Sequence, residues 1–371
     1  MYSYSPRPVH VRPEMDRMAE YRAGESQESF SARTGIPIEQ LIKLNSNESP
    51  YGPAPQVLTA LGDWANYNNY PDTDSRALKQ ALSEYTGVGS RHIVVSHGSN
   101  ELINLLWHIF LSVGDNVICC PPTFSLYTSI TTFCGAYVLE VPRAEEYEVN
   151  VEAVIKALTP ETKFIVLCSP NNPTGNPVPE QDILTLLDTG RIVMVDEAYV
   201  EFSDHPKGLA HLVPHYRNLV VMRTFSKWAG LAGLRVGYGI FPEWIVAYLR
   251  RAQPPFEVNV AGHIAAIETL KHLDYTLDKV QRMVAERQRL FDLLARQPFL
   301  APLPSQGNFI LTQVDEEEMR MEQLRTTIES YGVMLRYFNH PYLSNFVRLT
   351  VGRPEHTDVI ERALATLNPN M

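Results

Sequence analysis

The chain has 371 residues, 44% of them hydrophobic and 20% charged, with a formal net charge of −10 and a pI near 5.6. At about 150 residues per domain it is too long for one ordinary core, and its composition is that of a soluble globular protein. The acidic balance, without a basic run or arginine stripe, argues against a nucleic-acid partner, and no stretch approaches the ~18 uninterrupted apolar residues of a membrane span.

Residues 1–12 are polar and proline-bearing, without the apolar segment of a secretory signal. Pro6, Pro8 and Pro13 keep the start extended, and Met15 to Tyr21 has room only for a short helix, so residues 1–45 are expected to form an arm. A dense turn cluster, Asn45-Ser46-Asn47-Glu48-Ser49-Pro50-Tyr51-Gly52-Pro53, opens the main body. Asp72 or Asp74 is expected to cap a helix carrying Ala77, Leu78, Ala81, Leu82 and Tyr85 on one face, with Gly87 as its stop. Seven short apolar runs follow, at 93–95, 117–120, 137–141, 164–168, 192–195, 219–222 and 236–241. Helical patterns lie between them at 101–110, at 151–158 with Asn150 as cap, and at 181–187. Near-continuous apolar strands separated by amphipathic helices predict an α/β fold, a mostly parallel seven-stranded sheet sandwiched by helices.

A long helical pattern at 259–296 leads out of that sheet. Beyond Pro302 the pattern reads strand 308–312, helix 319–331, strands 333–337 and 346–351, and helix 356–367, a smaller α+β domain. The expected organisation is an arm (1–45) associated with the small domain, a large domain (46–260), and a linking helix with the small domain (261–371). Cys119, Cys120, Cys134 and Cys168 lie in or beside apolar runs without Cys-x-x-Cys spacing, as expected of reduced, buried thiols in a cytoplasmic protein. His211 and His215 sit in a loop-like stretch with Pro214, and no metal is expected there.

In doubly covered sheets ligands bind at the carboxyl ends of the strands, and the polar motifs fall there. Ser99 and Asn100 follow Gly98 at the start of a helix, a place where backbone N–H groups face an anion. The spacing is neither that of a dinucleotide loop nor that of a P-loop. Phe124, after the second run, is suited to stack on a planar ring. Asn172, in the turn Ser169-Pro170-Asn171-Asn172-Pro173-Thr174-Gly175, is a held side-chain donor. Asp196 ends a buried run, which is costly unless it meets a cation. A magnesium ion or a protonated ring nitrogen would serve, but the partner set of a nucleotide-hydrolase metal site is missing. Tyr199 is placed to donate to a ring oxygen. Finally, Lys227 stands between Thr224, Ser226 and Arg235, an amine displayed beside an anion site. Pyridoxal 5′-phosphate needs a lysine for its aldehyde, an acid for its ring nitrogen, donors for its ring oxygen, an aromatic face and a phosphate cup, and these residues match that set.

The same segments resemble the fold-type I, class I/II pyridoxal-phosphate-dependent aminotransferases, and within them the histidinol-phosphate aminotransferases. The resemblance rests on Leu44-Asn45-Ser46-Asn47-Glu48, Tyr70-Pro71, Asn172-Pro173-Thr174-Gly175, Asp196-Glu197-Ala198-Tyr199-Val200-Glu201-Phe202, the stretch from Ser226-Lys227 to Arg235-Val236-Gly237-Tyr238, and Val347-Arg348-Leu349-Thr350-Val351-Gly352. It implies transfer of an amino group from L-histidinol phosphate to 2-oxoglutarate, giving imidazole acetol phosphate and L-glutamate in histidine biosynthesis. It also implies that Arg348 holds the glutamate carboxylate, that Arg336 helps with the substrate phosphate, and that Asn47 and Tyr21 line the pocket. A homodimer would follow, with Tyr70 reaching the cofactor phosphate of the neighbouring subunit. Two departures, Trp228 after the lysine and the bulky Tyr337-Phe338-Asn339-His340, are expected to reshape the pocket. They keep open an aromatic amino acid aminotransferase or a decarboxylase of a phosphorylated amino acid such as threonine phosphate. A catalytically silent binding module is the third reading, opposed by the presence of Lys227.

Overall fold

The computed structural model describes residues 11–18 and 24–367. Thirteen strands among them form three sheets. A short strand β1 (Ile42–Lys43) precedes the seven strands of the main sheet: β2 (Ile93–Ser96), β3 (Asn116–Cys119), β4 (Tyr137–Glu140), β5 (Thr162–Cys168), β6 (Ile192–Asp196), β7 (Leu219–Thr224) and β8 (Gly237–Ile240). Five more follow: β9 (Leu300–Pro302), β10 (Phe309–Val314), β11 (Val333–Met334), β12 (Arg336–Tyr337) and β13 (Phe346–Thr350).

The main sheet has the order β2-β8-β7-β6-β5-β3-β4. From β4 to β7 every pairing is parallel, whereas β8 runs antiparallel to both β7 and β2. The seven apolar runs are therefore its seven strands. The inner strands are buried on two faces because alternate side chains feed separate cores: Ile165, Val193, Val195 and Val221 on one side, Phe164, Val166, Met194 and Met222 on the other, whereas the edge strand β4 is partly exposed along its length.

The remaining strands form an antiparallel sheet of order β12-β13-β10-β9 and the parallel pair β1-β11. The pattern expected as one strand at 333–337 is two, because Val333 and Met334 pair with Ile42 and Lys43 while Arg336 and Tyr337 pair with Arg348 and Val347. The helical pattern at 259–296 is likewise two helices, Val260–Lys271 and Leu273–Ala295, separated at His272 (φ −116°, ψ 42°). The helix Arg76–Thr86 ends at Gly87 (φ 72°) as expected, but its N-cap residue is Ser75. Asp72 still serves the first turn by accepting from the Arg76 N–H at 3.0 Å. Near the start, residues 13–17 form a single 3-10 turn that ends at Met18 (φ −81°, ψ 125°), and residues 19–21 of that expected helix lie outside the described residues. Asn150 caps its helix through the Ala153 N–H at 2.9 Å. Among the described residues no helix is long and apolar enough to cross a membrane.

Candidate active site

The polar ends of β2, β5, β6 and β7 open into one cavity of about 770 Å³. Its lining includes Lys227, Asp196, Tyr199, Asn172, Phe124, Ser99, Asn100, Thr224, Ser226, Arg235, Asn47, Arg336 and Arg348. Tyr70 is not among the lining residues; it is 79% exposed and stacks on Phe256 at 4.4 Å between ring centroids. Tyr21 lies outside the described residues.

One corner is built for an anion by strand register. Gly237 opposes Ser96 on β2 and Thr224 on β7, so the start of the helix Ser99–Phe110, the Thr224 hydroxyl and Arg235 converge. Thr224 Oγ1 donates to Ser226 Oγ at 3.0 Å and accepts from the Ser226 N–H at 3.1 Å. Glycine is required at two points. A Cβ on Gly98 (φ +93°) would sit 2.5 Å from Arg235 Nη2, and one on Gly237 would overlap the Ser99 backbone nitrogen. Free N–H groups at a helix start, two hydroxyls and a guanidinium make an anion cup.

At the floor, Lys227 Nζ donates to the Ser46 carbonyl at 3.0 Å. Burial, reinforced by the charges of Arg348 and Arg235, lowers its ammonium to about 8, so a reactive free amine is accessible near neutral pH. Asp196 is 4% exposed, and burial pushes its carboxyl up to about 6, against the opposing effect of hydrogen bonds from the Tyr127 hydroxyl (2.7 Å) and the Ala198 N–H (3.1 Å). It is a carboxylate at neutral pH with an incentive to meet a cation.

The donors have fixed polarity. Arg348 donates from Nη1 to Asn172 Oδ1 at 2.6 Å and from Nη2 to the Asn45 carbonyl at 2.9 Å. With its oxygen so engaged, Asn172 has its NH2 group left to give. The Tyr199 oxygen accepts from Asn47 Nδ2 at 3.1 Å, which leaves the phenolic proton to give. Arg336 and Arg348 are cross-strand partners on β12 and β13, and both line the cavity.

Two expectations about the departures are corrected. Trp228 does not reach the cavity: it is 2% exposed and stacks on Tyr85 at 5.5 Å between centroids, filling the core behind the lysine. Tyr337 also points away, under the Arg325 guanidinium, because its strand neighbour Arg336 takes the cavity side. Phe338, Asn339 and His340 do line the cavity. Tyr127, 69 residues from Asp196, and the Ser46 and Asn45 carbonyls carry no signal in the sequence, since backbone acceptors and long-range partners leave no spacing.

Comparison with known proteins matches residues 39–366 to the family described as Aminotransferase class I and II. Histidinol-phosphate aminotransferase 1, chloroplastic, from Arabidopsis thaliana is 43% identical over 355 residues, covering 95% of this chain and 85% of that protein. Histidinol-phosphate aminotransferase from Dehalococcoides mccartyi (strain ATCC BAA-2266 / KCTC 15142 / 195) is 40% identical over 358 residues, covering 96% and 98%. The crystal structure of histidinol-phosphate aminotransferase from Sinorhizobium meliloti in complex with pyridoxal-5′-phosphate superposes with a TM-score of 0.88 at 23% identity, covering 98% of both chains, and bears on the fold. The family match extends over most of the chain's length, and the chain belongs to the class I and II aminotransferases.

Proposed function

We propose that the chain uses pyridoxal 5′-phosphate to move an amino group from L-histidinol phosphate to 2-oxoglutarate, with imidazole acetol phosphate and L-glutamate as products. The observation that carries the substrate assignment is the Arg336–Arg348 pair. Opposed on neighbouring strands, they present two planar guanidinium forks to one cavity, a geometry that matches a carboxylate and a phosphate. One guanidinium suits the carboxylate of glutamate and the other the phosphate of the donor. The relatives named for histidinol phosphate, at 40–43% identity over nearly the whole chain, support the same choice.

The residues fit the cofactor. Ser99, Asn100, Thr224, Ser226 and Arg235 would hold its phosphate, Phe124 its ring face, Asp196 its ring nitrogen, and Asn172 with Tyr199 its ring oxygen. Bound there, the cofactor supplies an aldehyde for amine exchange and a ring that withdraws electrons from the substrate carbon. Lys227 is the general base and acid: with its ammonium lowered to about 8, its Nζ both releases and takes a proton near neutral pH. Asp196 keeps the ring nitrogen protonated. Arg348, already held by Asn172 and Asn45, binds a carboxylate without being ordered anew. A homodimer with Tyr70 donated across the interface completes the reading, as does a reducing compartment such as the cytoplasm, in keeping with four buried free cysteines.

Adding single amines to the cofactor-loaded enzyme tests the assignment. The visible absorption band is expected to bleach with histidinol phosphate at concentrations far below those needed for histidine or phenylalanine. Equal potency of phenylalanine would favour an aromatic aminotransferase, and release of carbon dioxide from threonine phosphate a decarboxylase. Full turnover by Lys227→Ala would overturn the cofactor assignment itself.

A further inference from the structure

We propose that Thr350, on β13 and outside the cavity lining, is a positioning residue that directs the phenolic proton of Tyr199 into the cavity through the side chain of Asn47. The chain of contacts is continuous. The Asn47 N–H donates to Thr350 Oγ1 at 2.9 Å, and Thr350 Oγ1 donates its one proton to Asn47 Oδ1 at 3.1 Å. An amide whose oxygen faces Thr350 presents its NH2 to the other side, where Nδ2 donates to the Tyr199 oxygen at 3.1 Å. A phenol that accepts there gives its proton elsewhere, and Tyr199 lines the cavity.

The surroundings hold this order in place. Asn47, Thr350 and Tyr199 are 1%, 1% and 4% exposed, so bulk water does not compete. Asn47 sits in the left-handed region (φ 54°), which asparagine tolerates, and its carbonyl accepts from Asn308 Nδ2 at 3.0 Å. With the backbone fixed, the remaining freedom is rotation of the amide end. Without the Thr350 hydroxyl nothing in this chain of bonds prevents Oδ1 from turning to Tyr199 and taking the phenolic proton, which is then lost to the cavity. The inference rests on the cofactor reading, because the ring oxygen of pyridoxal phosphate is what that proton would serve.

The test is a pH titration of the visible band in enzyme reconstituted with pyridoxal phosphate. A donor to the ring oxygen stabilises its anionic form and makes the lysine–cofactor linkage a weaker base, so loss of the donor raises the midpoint. Tyr199→Phe is expected to raise it by about one unit, the size of one charge-assisted hydrogen bond. Thr350→Val should reproduce at least half of that shift, Thr350→Ser should titrate as wild type, and Thr350→Val with Tyr199→Phe should shift no further than Tyr199→Phe alone. Thr350→Val that melts earlier yet titrates at the wild-type midpoint would overturn the proposal, as would full additivity in the double variant. A wild-type protein that develops no band with pyridoxal phosphate would refute the underlying cofactor reading and take the proposal with it. That outcome is distinct from an unmoved midpoint in a coloured enzyme.

Discussion

Glu201→Gln should stabilise the protein, and increasingly so as the pH rises. Glu201 is 4% exposed, its Oε1 accepts from the Tyr85 hydroxyl at 3.4 Å, and its Oε2 has no hydrogen-bond partner. The nearby guanidinium of Arg223 is already committed to Glu197, at 2.8 Å from Nη2 and 2.9 Å from Nε. Two carboxylates thus face one buried cation, and burial pushes Glu201 from 4.5 up to about 8, opposed chiefly by Arg223. Between these two values the folded protein keeps a proton that the unfolded chain has released. The contribution of Glu201 to stability therefore falls as pH rises from 4.5 to 8 and is level above. At 1.36 kcal/mol per unit, a shift of roughly 3.5 units sets a ceiling of about 5 kcal/mol. Glutamine keeps the shape and does not ionise. Urea unfolding followed by far-ultraviolet circular dichroism should give nearly equal midpoints for variant and wild type at pH 5, and a variant several kcal/mol more stable at pH 8. Parallel stability curves across that range would refute the claim that Glu201 holds a proton in the fold.

Capture of pyridoxal phosphate by the cofactor-free protein should quicken tenfold per pH unit below pH 8 and level off above it, because only the free amine of Lys227 attacks the aldehyde. Stopped-flow absorbance checks this; a flat profile would mean that Lys227 is not titrating there. Gly98→Ala should raise the dissociation constant of pyridoxal phosphate by about tenfold or more, equivalent to ~1.4 kcal/mol, since the new methyl would displace Arg235 and strain a backbone at φ +93°. Equilibrium dialysis reads the change, and an unaltered constant would remove Arg235 from the anion cup. Mixing Tyr70→Ala with Lys227→Ala subunits should restore activity above either alone, since a hybrid dimer would hold one intact site. No rescue after demonstrated subunit exchange would count against a shared site.

Much of this could be read before any coordinates, for reasons that differ by element. Six of the seven strands of the main sheet are legible because strands buried on both faces are near-continuous apolar runs, whereas the edge strand β4 is partly exposed and carries Glu140; the polar strand ends point to the cavity. Some helices left weaker traces: Leu126–Phe133 and Glu243–Ala252 were not expected, the first because its threonines and serine mask the period. The division of 333–337 depends on which strand lies alongside, and that is a tertiary fact. Trp228 was misread for a similar reason. Its place beside Lys227 suggested the pocket, whereas the chain turns between them and puts the indole against Tyr85. Arg223, which follows the apolar run within β7, is buried and paired with Glu197, a partner that no local spacing marks.

The reversal of β8 has a consequence for how the chain tolerates lengthening. Because β8 returns antiparallel beside β7, Lys227 and Arg235 lie on a single hairpin connection, residues 225–236, that never leaves the reactive edge of the sheet. One extra residue there would disturb nucleophile and anion cup together. Turns at the opposite edge, such as the one at Gly190 leading into β6, carry neither, and additions there should leave the chemistry untouched.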